Sequence, residues 1–180
     1  MSQYKIIFTG PVGAGKTTAI STISDSAPVK TDAAASDMTK DRKASTTVAM
    51  DYGVMNLDGG EKVHLYGTPG QERFDFMWDI LTVGGIGLIL LLDNTRADPF
   101  QDMRFFLDAF DQFIKDTAVA IGVTQMDISN TPTISDYQRQ LQAMGLKPPP
   151  VFGVDARVYS DVSLLVQSLL YSIDPGLAGD

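Results

Sequence analysis

Residues 10–17 read Gly10-Pro-Val-Gly-Ala-Gly-Lys-Thr17 and lie between a predicted strand at 4–9 and a predicted helix that begins near Lys16. Glycines at this spacing let backbone N–H groups point inward around an anion, and the helix N-terminus adds the positive end of its dipole. The pattern predicts that Lys16 reaches the β- and γ-phosphates of a nucleotide and that the Thr17 hydroxyl ligates Mg²⁺. A glycine-rich turn that matches by chance is the plain alternative.

This phosphate-binding loop identifies a nucleotide as ligand, but it does not identify the base or the reaction. The residues predicted to surround the phosphates are Gly10, Gly13, Ala14, Gly15, Lys16, Thr17 and Thr18.

The composition is that of an ordinary soluble globular protein, with 44% hydrophobic and 20% charged residues. A length of 180 residues predicts one domain, 1–180, that can bury a complete core. The net charge of −8 argues against a nucleic-acid partner, because phosphate backbones are bound by clustered lysine and arginine.

The location is predicted to be cytoplasmic. The chain has no cysteine, which fits a reducing compartment, and its N-terminus shows no leader or lipid-anchor pattern. The longest apolar run, 86–92, is too short to span a bilayer, so we expect no direct membrane insertion.

Short apolar runs alternate with longer amphipathic stretches, which predicts an α/β fold. We expect the three-layer sandwich of P-loop NTPases, with a mostly parallel six-stranded sheet and helices on both faces. Residues 25–45 show no period and are predicted to be a long functional loop. The predicted strands are 4–9, 47–57, 62–66, 86–92, 118–123 and 151–154, and the predicted helices are 16–24, 71–81, 98–115, 133–145 and 161–173.

A second motif, His64-Leu-Tyr-Gly-Thr-Pro-Gly-Gln-Glu-Arg-Phe74, resembles switch II of the Ras-like small GTPases, W-D-T-A-G-Q-E-R-F. The resemblance implies that the Gly70 N–H contacts the γ-phosphate and that Gln71 orients the attacking water. Gln71 and Lys16 are therefore the predicted catalytic residues. A neutral amide suits this chemistry, because phosphoryl transfer to water depends on positioning and charge stabilisation.

Gly67 departs from that pattern, which has an aspartate at this position to support Mg²⁺. Its absence puts metal affinity and the hydrolysis rate in question. Asp93, at the end of the strand at 86–92, is a candidate substitute carboxylate.

Switch I is the third motif. Thr46-Thr47-Val-Ala-Met-Asp-Tyr-Gly53 resembles the T-I-G-V-D-F stretch of Rab-type GTPases. The resemblance makes Thr47 the second predicted Mg²⁺ ligand, although paired threonines at the start of a strand also serve as plain β-formers.

Two further motifs follow predicted strands and indicate a base site. Thr124-Gln-Met-Asp127 is similar to the guanine motif [NT]-K-x-D, and Asp155-Ala-Arg157 stands where the family has S-A-K. Asp127 can accept hydrogen bonds from two guanine donors, and an adenine would leave this carboxylate unpaired. Gln125 replaces the lysine whose stem covers the base, so we expect weaker stacking. The predicted base contacts are Thr124, Gln125, Asp127, Asp155, Ala156 and Arg157.

Taken in order, these motifs resemble the prokaryotic MglA-related small GTPases. That resemblance implies GTP and GDP as ligands, Mg²⁺ as cofactor, a Roadblock/LC7-type regulatory partner and an effector that reads the switch. We expect slow intrinsic hydrolysis, because Thr46 stands where gliding-type relatives have an arginine finger. Val12 adds bulk where Ras has glycine, which hinders an arginine finger from a partner. Arg42, Lys43 and Arg73 are possible replacements for the finger.

Four large apolar residues lie near switch II and cannot all face the core, which predicts an exposed patch for a partner. They are Phe74, Phe76, Met77 and Trp78. His64, the one histidine in the sequence, has no predicted role.

Two other classes of function stay open at this point. A P-loop phosphotransferase normally needs an arginine-bearing lid, and the later half of the chain has no arginine cluster. A non-hydrolysing nucleotide-binding scaffold is compatible with Gly67 and Gln125.

Overall fold

The computed structural model describes residues 2–25, 29–30, 51–69, 76–145 and 147–174, with the backbone alone at 29–30 and at Phe76. Within these residues seven strands form one sheet in the order β2-β3-β4-β1-β5-β6-β7. The strands are β1 (Gln3–Thr9), β2 (Val29–Lys30), β3 (Asp51–Asn56), β4 (Lys62–Gly67), β5 (Gly87–Asp93), β6 (Val119–Thr124) and β7 (Val151–Gly153). The described helices are α1 (Lys16–Ile23), α2 (Phe76–Thr82), α3 (Pro99–Ala109), α4 (Asp111–Asp116), α5 (Ile134–Ala143) and α6 (Tyr159–Ile173).

The sheet is mostly parallel, as the alternation of strands and helices predicts. β4, β1, β5, β6 and β7 run parallel, and β3 joins β4 in an antiparallel hairpin. All seven residues of β5 are buried, which explains its continuous apolar sequence. The parallel strands therefore present their carboxyl ends along one edge, where loops 10–15, 94–98 and 125–133 follow.

Two hydrophobic cores lie on opposite faces of the sheet, because successive strand residues point in opposite directions. Ile6, Phe8, Ile89 and Leu91 pack with residues of α1 and α6 in the first core. The second core contains Ile7, Leu88, Leu90 and Leu92 with residues of α2, α3 and α5. This three-layer arrangement confirms the predicted fold class.

Two details differ from the sequence prediction. Val29–Lys30 lies inside the predicted loop 25–45 but forms a two-residue strand, β2, that pairs antiparallel with β3 at the sheet edge. The predicted helix 98–115 is two helices, α3 and α4, that meet at Phe110. Phe110 leaves helical geometry and is buried in the second core, where its ring stacks on Trp78 at 5.1 Å. Tertiary packing therefore overrides helical periodicity at this residue.

The helix ends follow their local sequence signals. Asp98 accepts a hydrogen bond from the Gln101 N–H at the start of α3, next to Pro99 in the first turn. Thr133 and Asp136 form a capping box at the start of α5. These caps fix where both helices begin relative to the loops that follow β5 and β6.

Trp78 anchors the short helix α2, and its replacement tests the second core. The Trp78 side chain is 3% exposed, whereas Ile80 on the same helix is 63% exposed. Trp78→Ala is expected to lower the free energy of unfolding by about 3–5 kcal/mol, because it leaves a cavity against Phe106 and Phe110. Ile80→Ala is the matched control and should change it by less than about 0.5 kcal/mol. Urea unfolding measures both, and equal effects would contradict this packing.

Candidate nucleotide-binding site

The phosphate-binding loop lies directly against the backbone of β5. A Cβ atom at Gly10 would lie 2.0 Å from the Leu91 carbonyl oxygen, so no side chain fits at this position. Gly15 precedes α1 with φ of +100°, a left-handed conformation that glycine adopts at little cost. The loop thus delivers the N-terminus of α1 to the carboxyl ends of the central strands.

Lys16 folds back over this loop and is 8% exposed. Its ammonium group donates hydrogen bonds to the carbonyl oxygens of Gly10 at 2.5 Å and Pro11 at 2.9 Å. Burial lowers the pKa of Lys16 to about 8; the charge of Asp51 acts in the opposite direction and that of Arg96 in the same direction. A cation thus lies within the loop where a phosphate would neutralise it.

Thr17 contacts Asp51, a residue of the switch I motif that has no role predicted from the sequence. The Thr17 hydroxyl donates a hydrogen bond to Oδ2 of Asp51, the first residue of β3. Asp51 pairs across the hairpin with Gly67. A Cβ atom at Gly67 would lie 3.3 Å from Asp51 Cβ and 3.6 Å from its Oδ2. The Asp51 carboxylate therefore reaches the place beside Gly67 where the family pattern has its aspartate.

The sequence did contain a signal for Asp51. The sequence Asp58-Gly59-Gly60 between the two predicted strands favours a hairpin turn. Residue numbers of paired positions in an antiparallel hairpin add to a constant, so a turn centred on 59 places 51 opposite 67. Asp93 is the substitute suggested from the sequence. Its Oδ1 accepts hydrogen bonds from the Thr95 backbone N–H at 2.8 Å and from the Thr95 hydroxyl at 2.6 Å. That carboxylate oxygen caps the turn after β5.

A cavity of about 280 Å³ lies beside the phosphate-binding loop. It brings together ten of the predicted contact residues, from three separate loops, and adds Ile128. Ile128 was not predicted from the sequence. It directly follows Asp127, and its apolar side chain is 71% exposed, so it can contact a flat ring. The lining residues are Gly13, Ala14, Gly15, Thr18, Thr124, Gln125, Asp127, Ile128, Asp155, Ala156 and Arg157.

Two side chains after β6 connect this cavity to the phosphate-binding loop. Thr124 is buried, and its hydroxyl donates to the Ala14 carbonyl oxygen at 2.9 Å. Gln125 has φ of +62°, and its side-chain amide donates to the Gly13 carbonyl oxygen at 3.1 Å. The Gln125 side chain is thus long enough to link the loop after β6 to the glycine-rich turn by a hydrogen bond.

The segment after β7 forms the opposite wall and is fixed from two sides. The Asp155 N–H donates to Asp161 of α6 at 2.8 Å, and the Thr22 hydroxyl of α1 donates to the Ala156 carbonyl oxygen at 2.7 Å. Arg157 pairs with both carboxylate oxygens of Asp155 at 2.9 and 2.8 Å, and these hydrogen bonds lower the pKa of Asp155 to about 2.

Asp127 stays available at the mouth of the cavity. Its Oδ2 lies 4.0 Å from an Arg157 nitrogen, and most of its side chain is exposed. The cavity therefore combines an accessible acceptor, apolar walls and a neighbouring phosphate-binding loop.

Several predicted residues lie outside the described part of the chain. They are Thr47, Gly70 and Gln71 of the site, and Arg42, Lys43, Thr46, Arg73 and Phe74 around it.

The predicted patch near switch II has a different composition in the described residues. Trp78 belongs to the core and Met77 is half-buried, while Ile80 and Val83 are exposed. His64 does have partners: one ring nitrogen lies 2.6 Å from the Tyr52 hydroxyl and the other 2.8 Å from the Gln3 side-chain oxygen.

Within the described residues, no group of three or more His, Cys, Asp or Glu side chains could hold a metal ion. A cation at this site would instead use Thr17, phosphate oxygens and water, the set that Mg²⁺ commonly takes beside a nucleotide. The Thr17 hydroxyl and its carboxylate acceptor fit such a set.

No helix among the described residues is long and apolar enough to cross a membrane.

The chain is similar to several groups of proteins. Residues 26–169, which begin after the phosphate-binding loop, match the family described as "Conserved hypothetical ATP binding protein". An uncharacterized protein of Methanocaldococcus jannaschii is 28% identical over 100 residues, 56% of this chain and 57% of that protein. The Ras-related protein RABA5b of Arabidopsis thaliana is 27% identical over 136 residues, 75% and 56% of the two chains.

The Ras-related protein Rab-1D of Dictyostelium discoideum is 30% identical over 139 residues, 75% of this chain and 62% of that protein. The chain thus spans less than two thirds of the length of these three relatives. With the fold described above, the matches show a small GTPase-like P-loop protein.

Lys16 makes phosphate binding pH-dependent. Its charged form binds phosphate and dominates below the pKa of about 8. Affinity for a nucleoside diphosphate should therefore fall as the pH rises from 8 to 9.5, by up to about tenfold per pH unit, and binding should take up a proton. Calorimetry in two buffers of different ionisation enthalpy measures both quantities. Lys16→Met is the control that should remove the dependence, and a flat pH profile for the unmodified chain would contradict it.

Proposed function

The chain belongs to the family described as conserved hypothetical ATP binding protein, and on that premise we propose that it is a GTP-binding molecular switch. It hydrolyses GTP slowly in the presence of Mg²⁺, and a partner accelerates the reaction. The observation that carries the proposal is the cavity in which Asp127 and residues 155–157 face the phosphate-binding loop. Such a cavity holds a base and its phosphates in one continuous site.

Asp127 is the argument for guanine. A carboxylate accepts hydrogen bonds, and guanine offers two adjacent donors, the ring N1–H and the exocyclic amine. Adenine has no such pair of donors, so it would leave a desolvated carboxylate without partners. Asp127 remains accessible beside Ile128 in the cavity. This chemistry favours GTP and GDP over ATP, although the family description mentions ATP.

The cleavage step is assigned to Gln71 and Lys16. Gln71 orients water toward the γ-phosphate, Gly70 contacts that phosphate, and Thr17 and Thr47 bind Mg²⁺. Lys16 supports this assignment, because its buried ammonium group already lies within the phosphate-binding loop. Intrinsic hydrolysis is slow because Thr46 stands where gliding-type relatives supply an arginine finger within the chain. Val12, which is 57% exposed, hinders an arginine finger from a partner.

The switch works with protein partners. We assign it to the prokaryotic MglA-related branch, as one cytoplasmic domain that regulates motility, polarity or signalling. A Roadblock/LC7-type protein is its regulator, and a separate effector reads its nucleotide state. Ile80 in the last turn of α2 and Val83 just after this helix support a contact beside switch II, because both are exposed apolar side chains.

Nucleotide selectivity tests the base assignment. GDP and GTP should bind at least about 100-fold more tightly than ADP and ATP, and Asp127→Asn should remove most of that preference. The same variant should gain affinity for xanthosine diphosphate, which has a carbonyl in place of the exocyclic amine and can accept from the asparagine amide. Asp108→Asn, the same charge change at an exposed position of α3, is the matched control. Tighter binding of ATP than of GTP would refute guanine specificity.

Single-turnover cleavage tests the hydrolysis assignment. Without a partner, Mg²⁺-dependent GTP cleavage should proceed at about 10⁻³ per second or more slowly, and Gln71→Ala should reduce it at least about tenfold further. Cleavage within seconds would contradict the slow switch. GTP binding without any cleavage would identify a scaffold, and phosphate transfer only to an added acceptor would identify a phosphotransferase.

A further inference from the structure

Asp51 is a half-buried carboxylate of the switch I motif to which the proposed site gives no role, and it accepts a hydrogen bond from Thr17. We propose that Asp51 is the positioning carboxylate of the Mg²⁺ site and replaces, from β3, the aspartate that is absent at Gly67 on β4. The inference rests on the proposed Mg²⁺-dependent nucleotide site and assigns a residue to it.

Strand register makes this replacement possible. Asp51 and Gly67 are directly paired in the antiparallel hairpin, so side chains at these positions leave the sheet on the same face as close neighbours. That face is the one covered by α1, since a Cβ atom at Gly67 would also lie 3.1 Å from Ile20 Cδ1. A carboxylate on either strand can therefore extend toward Thr17, which lies at the start of α1.

The two positions lie close together in space. A side chain added at Gly67 would meet Asp51 Cβ at 3.3 Å, which is closer than side-chain carbons normally approach. The neighbouring Ile20 methyl group leaves little room for the pair to separate. Glycine at 67 thus leaves room for the Asp51 side chain, whereas the Rab-type patterns quoted above carry an aspartate at both positions.

The hydrogen bond suits a ligand that serves a metal. A hydroxyl binds a cation through an oxygen lone pair and keeps its proton for an acceptor on the other side. Asp51 supplies that acceptor, which fixes the hydroxyl orientation and makes its oxygen a better ligand. A carboxylate at this place can also accept hydrogen bonds from water bound to Mg²⁺, which retains several waters in such sites.

Asp51 also acts on the nearby lysine. Its negative charge favours the protonated form of Lys16 against the effect of burial. The Asp51 carboxylate thus acts on two groups: Thr17, which would contact the cation, and Lys16, which would contact the phosphates. The Asp93 alternative lacks this geometry, because its Oδ1 is held by Thr95.

The test measures Mg²⁺ affinity rather than turnover. A fluorescent GDP analogue is bound to the chain, and its dissociation rate is followed as free Mg²⁺ is varied. Asp51→Asn should raise the Mg²⁺ concentration that half-maximally slows dissociation by about 10-fold to 100-fold. Asp58→Asn makes the same charge change at the exposed hairpin turn and should leave that concentration unchanged.

An exchange variant separates a metal role from a structural one. Asp51→Gly combined with Gly67→Asp moves the carboxylate back to β4 and removes the crowding between the two positions. It should recover most of the Mg²⁺ affinity that Asp51→Asn loses, which a carboxylate needed only for folding would not do. Circular dichroism melting checks that each variant is folded, and the exchange variant carries the test if Asp51→Asn does not fold.

Two outcomes overturn the inference, and they are distinguishable. Mg²⁺-sensitive GDP dissociation in the unmodified chain, with an unchanged midpoint in Asp51→Asn, rejects the role of Asp51 alone. GDP dissociation that is equally fast in Mg²⁺ and in a chelator rejects the Mg²⁺-dependent site, and the inference with it.

Discussion

The close contact between Gly10 and β5 is the constraint on which the nucleotide-binding site depends. The Leu91 carbonyl oxygen occupies the space where a side chain at position 10 would begin, so the chain turns into the phosphate-binding loop directly against the centre of the sheet. β5 lies in the middle of the sheet, and all seven of its residues are buried. Lys16 then closes over the turn by donating to Gly10 and Pro11. The phosphate site is thus a consequence of how tightly the central strands pack.

The base cavity depends on the same loop. Thr124 and Gln125 donate to the Ala14 and Gly13 carbonyl oxygens, so the loop after β6 is hydrogen-bonded to the glycine-rich turn. Each such bond contributes about 1 kcal/mol to stability, but breaking the buried one would leave an unpaired polar group at greater cost. The segment 155–157 is held independently by α1 and α6. The part of the site that surrounds the base is therefore preformed, and little free energy is lost in ordering it.

Most of the fold could be predicted from the sequence, because the relevant signals are local. The apolar run at 86–92, the glycine spacing at 10–17 and the capping box at Thr133 each correspond to one element. The features that were missed depend on distant contacts. The helix break follows from the packing of Phe110 on Trp78, and β2 exists because β3 offers an edge for pairing. In the cavity, ten of the lining residues lie in motifs, whereas Ile128 becomes apparent only when three loops converge.

Asp51 shows why a motif read along the chain can underestimate a site. A motif assigns a functional residue to a position on one strand. Because positions 51 and 67 are paired in the antiparallel hairpin, a side chain from either position can extend to the same place. The position of this carboxylate on β3 has a further consequence, because β3 directly follows the segment of the sequence that contains Thr47. The hydrogen bond from Thr17 to Asp51 then joins the first helix to the strand after switch I. A carboxylate on β4 would have no such connection, so in this chain support for a cation and the position of β3 are linked through one contact.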